Sequence, residues 1–543
     1  MQQQNNNTYN QPQMGQMPPQ PLMPQGGAFV PPMPPRPKGW RERRRMAEQV
    51  IFPKWLSKNA LIAYFLALAV VTFMYSTYSI PWYYMLSGII TVLSFFLIGG
   101  TFAKDMALDR VRKETKFEKR IFLVAFIPRV LWMILIYNLF MQNYGDYFGF
   151  ENADALFYDD MGKEFAVAFK EGKFLQKWIS EQAYLDISDM GYMTYLGFIY
   201  WLTGTADIAS MQSIGGHIDT SVMSIITVRL IKCVISSITV VLVYRLSKRN
   251  FSTPTARVAA IFCALWPNFW YYCGTHLKET EMVFLGVLFV EQADQMLRSR
   301  QFTAWKIIPV MLIGAALFTL RTPLALVAFL SLIFSVVMSS SKVVNWGKRI
   351  IVGALAIALI GVTMGNRIQE QARMLTEQAQ SGYQKGNMDW RAEREHGNAF
   401  AKYAGAAVFA PMIFTLPFPT MVRPFDGQNV QQLLNGGNFT KNIISGFTIF
   451  ALITLLISGK WREHLLPLSF LLGYLVVLAV SAFAQSERFH QPAMPFEFMF
   501  AAYGLSIAVT KKKYKRWFTY WCALIFIAAI AWNWFKMAGR GLV

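Results

Sequence analysis

Long apolar stretches separated by short basic ones run along most of the chain. Three of them read NALIAYFLALAVVTFMYSTYS, MSIITVRLIKCVISSITVVLVY and LPLSFLLGYLVVLAVSAFA. Each is long enough to cross a hydrocarbon core of ~30 Å, which takes ~20 helical residues. The pattern predicts about 13 membrane-spanning helices, near residues 60–79, 81–103, 121–143, 222–246, 255–275, 280–297, 307–320, 323–338, 349–364, 442–458, 465–484, 493–509 and 517–535.

Composition agrees with an all-α polytopic membrane protein that has the lipid bilayer as its solvent. The chain is 54% hydrophobic and only 15% charged, a balance that a soluble core does not require. Its cysteines at 233, 263, 273 and 522 all fall in apolar windows. They are therefore expected to be small buried hydrophobic residues and not disulfides or metal ligands.

Basic residues give the chain a net charge of +21. In a soluble protein this charge would suggest nucleic acid, but here it falls in clusters beside the apolar stretches, as on the cytoplasmic side of membrane proteins. With a cytoplasmic N-terminus, every basic turn falls inside. Residues 144–221 and 365–441 then form two long extracytoplasmic loops, and no nucleic-acid partner is expected.

The predicted organisation has four parts. Residues 1–59 are expected to form a disordered Gln/Asn/Pro-rich cytoplasmic tail and a basic juxtamembrane segment, because this composition cannot bury enough apolar surface to fold. Residues 60–120 form an N-terminal transmembrane hairpin, residues 121–510 the main transmembrane region, and residues 511–543 a C-terminal transmembrane helix.

Acidic residues gather in the first external loop, which carries twelve acidic side chains against four lysines. Its sequence DALFYDDMGKEF predicts an amphipathic helix with Asp154, Tyr158 and Phe165 on one packed face. A carboxylate on that face has reduced access to water, which suits a proton acceptor.

Two further aspartates follow in the same helix. Asp159 is expected on the opposite, wetter side together with Lys163 and Lys170. For both Asp159 and Asp160, a solvated face of the helix is the simpler expectation. Both could simply complement the helix dipole, and Asp154 could simply cap the helix. Which of Asp154, Asp159 and Asp160 is the base is left open.

Cationic residues and one further carboxylate are predicted on the same side of the membrane. They are Lys278, Glu279, Arg321, Arg423, Arg488 and His490. The planar fork of arginine suits phosphate, although each residue alone could be an interfacial anchor. Charges at one face also argue against a transporter, which would place them at mid-membrane on broken helices.

Cofactor motifs are absent from the sequence. The histidines lack the spacing of a metal-binding motif, and no Walker loop, dinucleotide fingerprint or nucleophile elbow occurs. A divalent metal is possible, and no other cofactor is indicated.

An ordered set of short motifs resembles the GT-C glycosyltransferases, in particular bacterial protein O-mannosyltransferases and aminoarabinose transferases. The set comprises Asp154-x-x-x-Tyr158, LWPNFWYY leading to LKE, LRTPLAL and ERFHQPAMPFEFMFAAYGL, over roughly residues 121–510. The resemblance implies a GT-C-like helix bundle in a bacterial inner membrane. It would transfer a sugar from a polyprenyl-phosphate carrier to an extracytoplasmic protein, lipid or glycan acceptor.

The resemblance also implies residue roles. Asp154 matches the catalytic acidic residue with Tyr158 as its aromatic companion, Glu279 matches a second acidic position, and Arg321 and Arg488 match positions near the carrier phosphate. Two departures are the extra hairpin at residues 60–103 and an Asp154-Ala155 pair where many relatives have Asp-Glu.

Three rival functions stay open at this point. They are a polyprenyl-diphosphate-dependent glycan polymerase or ligase, a lipid-linked sugar transporter or flippase, and a non-catalytic scaffold. Transfer from a phosphate carrier needs one base and cationic stabilisation of the leaving phosphate, which one carboxylate and several arginines would supply.

Overall fold

The computed structural model describes residues 52–543 with the exception of several short ranges. Those ranges are 109–113, 146, 149–152, 183–186, 206–219, 300–303, 341–342, 345–346, 348–349, 351–353, 355–380, 395, 404–405, 426–431, 482–483 and 511. Residues 1–51 of the predicted tail, nearly all of the predicted helix 349–364 and part of the second predicted loop therefore lie outside the described residues.

Helices in the first half of the chain follow the apolar pattern closely. They are α1 (Lys54–Met74), α2 (Trp82–Leu93), α3 (Gly99–Leu108), α4 (Glu114–Tyr144), α5 (Ala153–Lys170), α6 (Phe174–Gln182), α7 (Ile187–Leu202), α8 (Val222–Asn250), α9 (Thr253–Leu265) and α10 (Pro267–Cys273). A π-helical turn, Ser94–Ile98, joins α2 to α3. The first helix begins six residues before its predicted start.

The second half of the chain is also helical in its described parts. The helices are α11 (Glu279–Arg298), α12 (Ile307–Leu320), α13 (Thr322–Met338), α14 (Ser381–Glu393), α15 (Asn435–Ile457), α16 (Leu465–Val480), α17 (Met494–Ala508) and α18 (Lys512–Ala538). Among the described residues the β structure amounts to an isolated bridge between Ser79 and Val422. The predicted all-α fold is confirmed.

One predicted span is interrupted. The sequence predicts a continuous helix over residues 255–275, but the chain is extended at Trp266, between α9 and α10. Pro267 causes the break, because a proline disfavours helical geometry in the residue before it and cannot donate a backbone hydrogen bond. The indole of Trp266 donates to the carbonyl of Gly437 at 3.0 Å and ties the break to α15.

Six of the described helical segments are long and apolar enough to cross a membrane. They are Lys54–Met74, Trp82–Lys104, Lys116–Asn143, Val222–Asn250, Asn435–Ile457 and Lys513–Ala538. Four apolar helices are shorter, namely α9, α12, α13 and α16. The protein is therefore a multi-pass membrane protein. The sequence predicts about 13 spans, which is more than the number of described helices that are long and apolar enough to cross a membrane.

The bundle is held together by contacts between neighbouring helices and between helices that are distant in sequence. Helix α8 packs on α4, α9 and α11, and α15 packs on α17 and α2. The N-terminal hairpin joins this bundle through α1, which packs on α18. The buried Tyr64 hydroxyl donates to Asn435 at 2.8 Å, so the hairpin contributes a polar contact to the core.

Charged side chains are also buried inside predicted spans, which corrects the expectation that charge collects at one face. They are Arg129 in α4, Arg229 and Lys232 in α8, and Glu497 in α17, while Lys441 of α15 is buried one residue before its predicted span. Arg129 donates to Ser236 and to backbone carbonyls, and Lys232 pairs with Glu281 at 3.2 Å. These contacts repay part of the cost of burying charge in a low-dielectric interior.

Candidate active site

Helix α5 places Asp154 at one end of the bundle. Tyr158 and Phe165 are buried, as the helical period predicts, and α5 packs closely along α7. Asp154 lies in the first turn of α5, where its charge complements the helix dipole. Its side chain is 54% exposed, so it is more open to water than the sequence predicts.

Arg488 joins Asp154 to Glu279. Its Nη1 contacts Asp154 Oδ2, and its Nε contacts Glu279 Oε1. Glu279 is the first residue of α11 and only 1% exposed, whereas the arginine lies in the short helix Glu487–His490. Three segments that are far apart in sequence therefore meet at one guanidinium.

Lys278, directly before α11, connects that helix to α7. Its ammonium pairs with Asp189 Oδ1 and donates to the Ser188 carbonyl at 3.2 Å. The Tyr158 hydroxyl donates to the same Asp189 oxygen at 3.1 Å. Burial lowers the pKa of Lys278, although Asp189 opposes this shift. Burial, with Asp189 adding to it, raises the pKa of Tyr158, which is therefore a hydroxyl donor at neutral pH.

Arg321 brings another guanidinium to the same place. It lies between α12 and α13, over the ring of Phe489 at 4.5 Å from the centroid. Arg488 lies 5.7 Å from the centroid of the same ring. In the described part of the chain, the Arg321 side chain has no hydrogen bond or ion pair. It is therefore a cation available to a ligand.

These side chains form the Arg488 cluster, which we define as Asp154, Tyr158, Asp189, Lys278, Glu279, Arg321, Arg488 and Phe489. Within the described residues, Glu279 Oε2 is buried and has no hydrogen-bond partner. A buried carboxylate oxygen without a donor is costly. The cluster thus combines an unsatisfied acceptor, a half-exposed carboxylate and an unpaired guanidinium.

Asp159 lies on the face of α5 that the sequence predicts, away from Asp154, but this face is buried and not exposed to water. It is 1% exposed and accepts hydrogen bonds from Tyr200 at 2.6 Å and Thr220 at 2.6 Å and 2.7 Å. Lys163 pairs with it at 2.7 Å. The expected wetter side is buried because α5 packs on more than one face. Asp160 is 55% exposed and pairs with Lys163 at 3.1 Å.

Two predicted phosphate ligands have other surroundings. His490 is buried, and its Nδ1 accepts from Lys441 at 2.8 Å while its Nε2–H donates to the Ala484 carbonyl at 2.8 Å. The Arg423 backbone N–H donates to the Tyr78 carbonyl at 2.7 Å, beside the bridge between Ser79 and Val422. The contacts described here place neither residue in the Arg488 cluster.

Asp189 was missed from the sequence. It is the acidic residue in the first turn of α7, ahead of an apolar aromatic run. A carboxylate next to such a run is the signal that could have singled it out. Across the described ranges, no three His, Cys, Asp or Glu side chains come together as they would around a metal ion, and the possible divalent metal stays a prediction.

The family comparison finds a match over part of the chain. Residues 213–364 match the family model described as dolichyl-phosphate-mannose-protein mannosyltransferase. The matched range includes Lys278, Glu279 and Arg321 of the Arg488 cluster. The match confirms the resemblance to the GT-C class of membrane glycosyltransferases that the sequence motifs indicate.

Comparisons with curated proteins and with solved structures reveal only a distant similarity. No curated protein matches the chain. Among solved structures, the chain is similar to the archaeal oligosaccharyltransferase AglB from Archaeoglobus fulgidus, solved in complex with an inhibitory peptide and a dolichol-phosphate. The identity is 12% and the TM-score 0.42, over 79% of this chain and 56% of that one. The chain thus spans little more than half the length of that structure.

Proposed function

We propose that the chain transfers a sugar from a polyprenyl-phosphate carrier to an extracytoplasmic acceptor, with Asp154 as the base. The observation that carries this proposal is the shared guanidinium of Arg488, which holds Asp154 and Glu279 together beside the unpaired Arg321. A base beside two arginines is the set of groups that such a transfer requires.

The proposed step is a displacement at the anomeric carbon of the sugar. The acceptor hydroxyl oxygen forms the new bond to that carbon, and its proton passes to a carboxylate oxygen of Asp154. The bond between the anomeric carbon and the carrier phosphate oxygen breaks, and the polyprenyl phosphate leaves with the electron pair. Arg321 and Arg488 stabilise the charge that develops on the leaving phosphate.

We also propose that Arg488 occupies the Asp154 carboxylate until the carrier phosphate binds. While the guanidinium contacts Asp154 Oδ2, that oxygen is occupied and cannot take the proton of an acceptor. When the carrier phosphate binds, its oxygens compete for the guanidinium and loosen the pair with Asp154. Glu279 keeps hold of the Nε side, so Arg488 stays in place while the base is released.

Among the three aspartates, the surroundings favour Asp154. Asp159 is enclosed by three donors, which leaves an incoming acceptor no approach to its oxygens. Asp160 pairs with Lys163 and has no described contact with the cations of the Arg488 cluster. Asp154 is half exposed and adjacent to Arg488, as a base that meets an external acceptor must be.

The direct test is Asp154→Asn in the full chain in membranes, with labelled sugar on polyprenyl phosphate as donor. Because a positioned base contributes ~10² to 10⁴ in rate, we expect turnover to fall at least about a hundredfold. The matched control is Glu164→Gln, which removes an exposed carboxylate from the same helix. Unchanged turnover in Asp154→Asn would remove the base assignment.

The same preparation separates the rival functions. A diphosphate-linked donor that is used better than the monophosphate would favour a polymerase or ligase. The buried charges of α4, α8, α15 and α17 make transport worth measuring directly. Movement of a labelled lipid-linked sugar across liposomes, without transfer to any acceptor, would favour a flippase.

A further inference from the structure

A network of hydrogen bonds lies on the side of α5 away from Asp154. At its centre, Asp159 accepts from Tyr200 of α7 and from Thr220, which precedes α8. Lys163, one turn further along α5, pairs with the same carboxylate. Every described member of this network is buried.

The network extends to the turn that carries the second carboxylate of the candidate site. His276 Nε2 lies 2.6 Å from the Tyr200 oxygen. Since the Tyr200 hydroxyl donates to Asp159, the imidazole donates its Nε2–H to the tyrosine. Burial lowers the pKa of His276 well below its ordinary value, with Arg229 adding to the shift, so the ring is neutral. Glu279 follows His276 by three residues, and the network thus links α5 to the start of α11.

Asp159 and Asp154 lie on the same helix, so helical geometry relates the position of one carboxylate to that of the other. Five residues separate Asp154 from Asp159, which corresponds to about 140° around the helix and about 7.5 Å along it. The two carboxylates are therefore held on widely separated faces, one by Arg488 and the other by Tyr200, Thr220 and Lys163. Together these contacts fix the rotation of α5 about its own axis.

Close packing adds to this restraint. At Gly162 an added Cβ would lie 3.0 Å from Leu196 Cβ, and at Gly197 it would collide with Phe165. The backbones of α5 and α7 thus approach too closely for a side chain at Gly197 and leave little room for one at Gly162. A helix packed in this way transmits a change at Asp159 to Asp154 as a rotation or shift of the whole turn.

We infer that Asp159 is a positioning residue, which acts through α5 to set the direction of the Asp154 carboxylate toward Arg488 and the acceptor. The inference rests on the proposed function, because it assigns Asp154 as the base. Both oxygens of the buried Asp159 carboxylate are hydrogen-bonded, and a carboxylate satisfied in this way specifies one arrangement more sharply than apolar packing does. An exposed helix end, by contrast, would leave the Asp154 carboxylate several orientations.

The test compares Asp159→Asn with wild type for kcat, for the KM of the polyprenyl-phosphate donor and for thermal unfolding of the full chain. We expect kcat to fall about tenfold while KM changes little, since misplacement of a base affects the chemical step. Phe165→Leu is the stability control, because it weakens the packing of α5 and keeps the network intact. A purely structural role predicts equal losses of kcat at equal losses of stability.

A double variant gives the sharper readout. Because Asp159 acts through Asp154, Asp154→Asn/Asp159→Asn should retain the same residual turnover as Asp154→Asn alone. Residual turnover that falls by the product of the two single effects would overturn the inference, as would full kcat in Asp159→Asn. If Asp159→Asn does not fold, Tyr200→Phe removes one donor, and we expect a loss of kcat of about threefold that again disappears without Asp154.

Failure of this inference is distinguishable from failure of the proposed function. Full turnover in Asp154→Asn would contradict the base assignment itself. A loss of about a hundredfold or more in Asp154→Asn beside full turnover in Asp159→Asn would leave the proposed function standing and remove only the positioning role.

Discussion

Two arginines each bind two carboxylates at opposite ends of α11, and the two sites differ in what is left unpaired. At the first end, Arg488 binds Asp154 and Glu279. Toward the C-terminal end, Arg249 binds Glu291 at 2.7 Å and Asp294 at 2.9 Å. The same chemistry therefore occurs twice on one helix.

The second site, the Arg249 cluster, consists of Arg249, Asn250, Glu291, Asp294 and Arg298. Every carboxylate oxygen in it has a partner, because Gln292 donates to Glu291 Oε2 and Arg298 to Asp294 Oδ1. The side chains of Glu291 and Asp294 are 5% and 3% exposed. This cluster is closed and joins α8 to α11.

The Arg488 cluster is open by comparison. Glu279 Oε2 has no donor among the described residues, Asp154 is half exposed, and the Arg321 side chain is unpaired in the same described part. The comparison teaches that an ion-paired arginine alone does not mark a site. What distinguishes a candidate site is the incomplete pairing around it.

The largest predicted effect falls on the closed end. Arg249→Met leaves Glu291 and part of Asp294 buried without their cation, and breaking a buried pair in this way costs about 3 to 5 kcal/mol. Thermal unfolding of the full chain in detergent should show this loss, while turnover per folded molecule stays near wild type. An unchanged unfolding midpoint would show that this cluster is not the structural one.

Replacing the central arginine by lysine, first in the Arg488 cluster and then in the Arg249 cluster, compares the two ends of α11 directly. In Arg488→Lys, a single ammonium cannot replace the fork that reaches both Asp154 and Glu279. We expect turnover to fall by about 10² to 10³. The matched control Arg249→Lys should keep turnover within about twofold. Equal losses of turnover in the two variants would contradict the distinction between the ends.

A smaller effect is predicted for the ring between the two guanidiniums. Phe489→Leu removes the aromatic face over which Arg321 lies, an interaction of about 0.5 to 1 kcal/mol. The KM for the lipid-linked donor should rise about two- to fivefold. Phe489→Tyr keeps the aromatic face and serves as the control. A wild-type KM in Phe489→Leu would mean that the ring does not hold Arg321 for the donor.

The smallest effect concerns pH at the closed end. Burial, with the charge of Arg298 adding to it, lowers the pKa of His464 to about 4. A folded pKa below the unfolded value of about 6.5 means that the unfolded chain binds the proton more readily. The neutral His464 therefore contributes its full free energy to folding above pH ~6.5, and this contribution is lost as the pH falls toward 4. At pH 6 the loss in the free energy of unfolding is less than about 1 kcal/mol. His464→Gln should flatten the measured dependence of unfolding on pH, and an equally steep dependence would exclude His464 as its source.

Much of the fold could be predicted from the sequence. Apolar windows fixed the positions of the helices because lipid demands long runs of apolar residues. The exception at Trp266 has a local cause, the following proline, that the apolar pattern does not register. Neither the pairing of Tyr64 with Asn435 nor the close contact of α5 with α7 follows from any local pattern, since both depend on the tertiary arrangement.

The candidate site was predictable in part. Asp154, Glu279, Arg321 and Arg488 were singled out, and the structure brings these four together. The expectation that Asp159 faces water is wrong, because a helical period identifies one packed face and cannot reveal a second. His490 lies two residues after Arg488, about 200° around the same helical turn, and so points into the core when Arg488 points toward Glu279.

The shortness of α12 and α13 has a consequence for how a carrier would arrive. With 14 and 17 residues, they reach about 21 Å and 26 Å along their axes, less than the ~30 Å of a bilayer interior. If both helices cross the membrane, the surrounding lipid has to compress to match them. The leaflet would dip where the two helices meet at Arg321, and a headgroup that diffuses in the membrane plane would reach this cation without being lifted out of its leaflet.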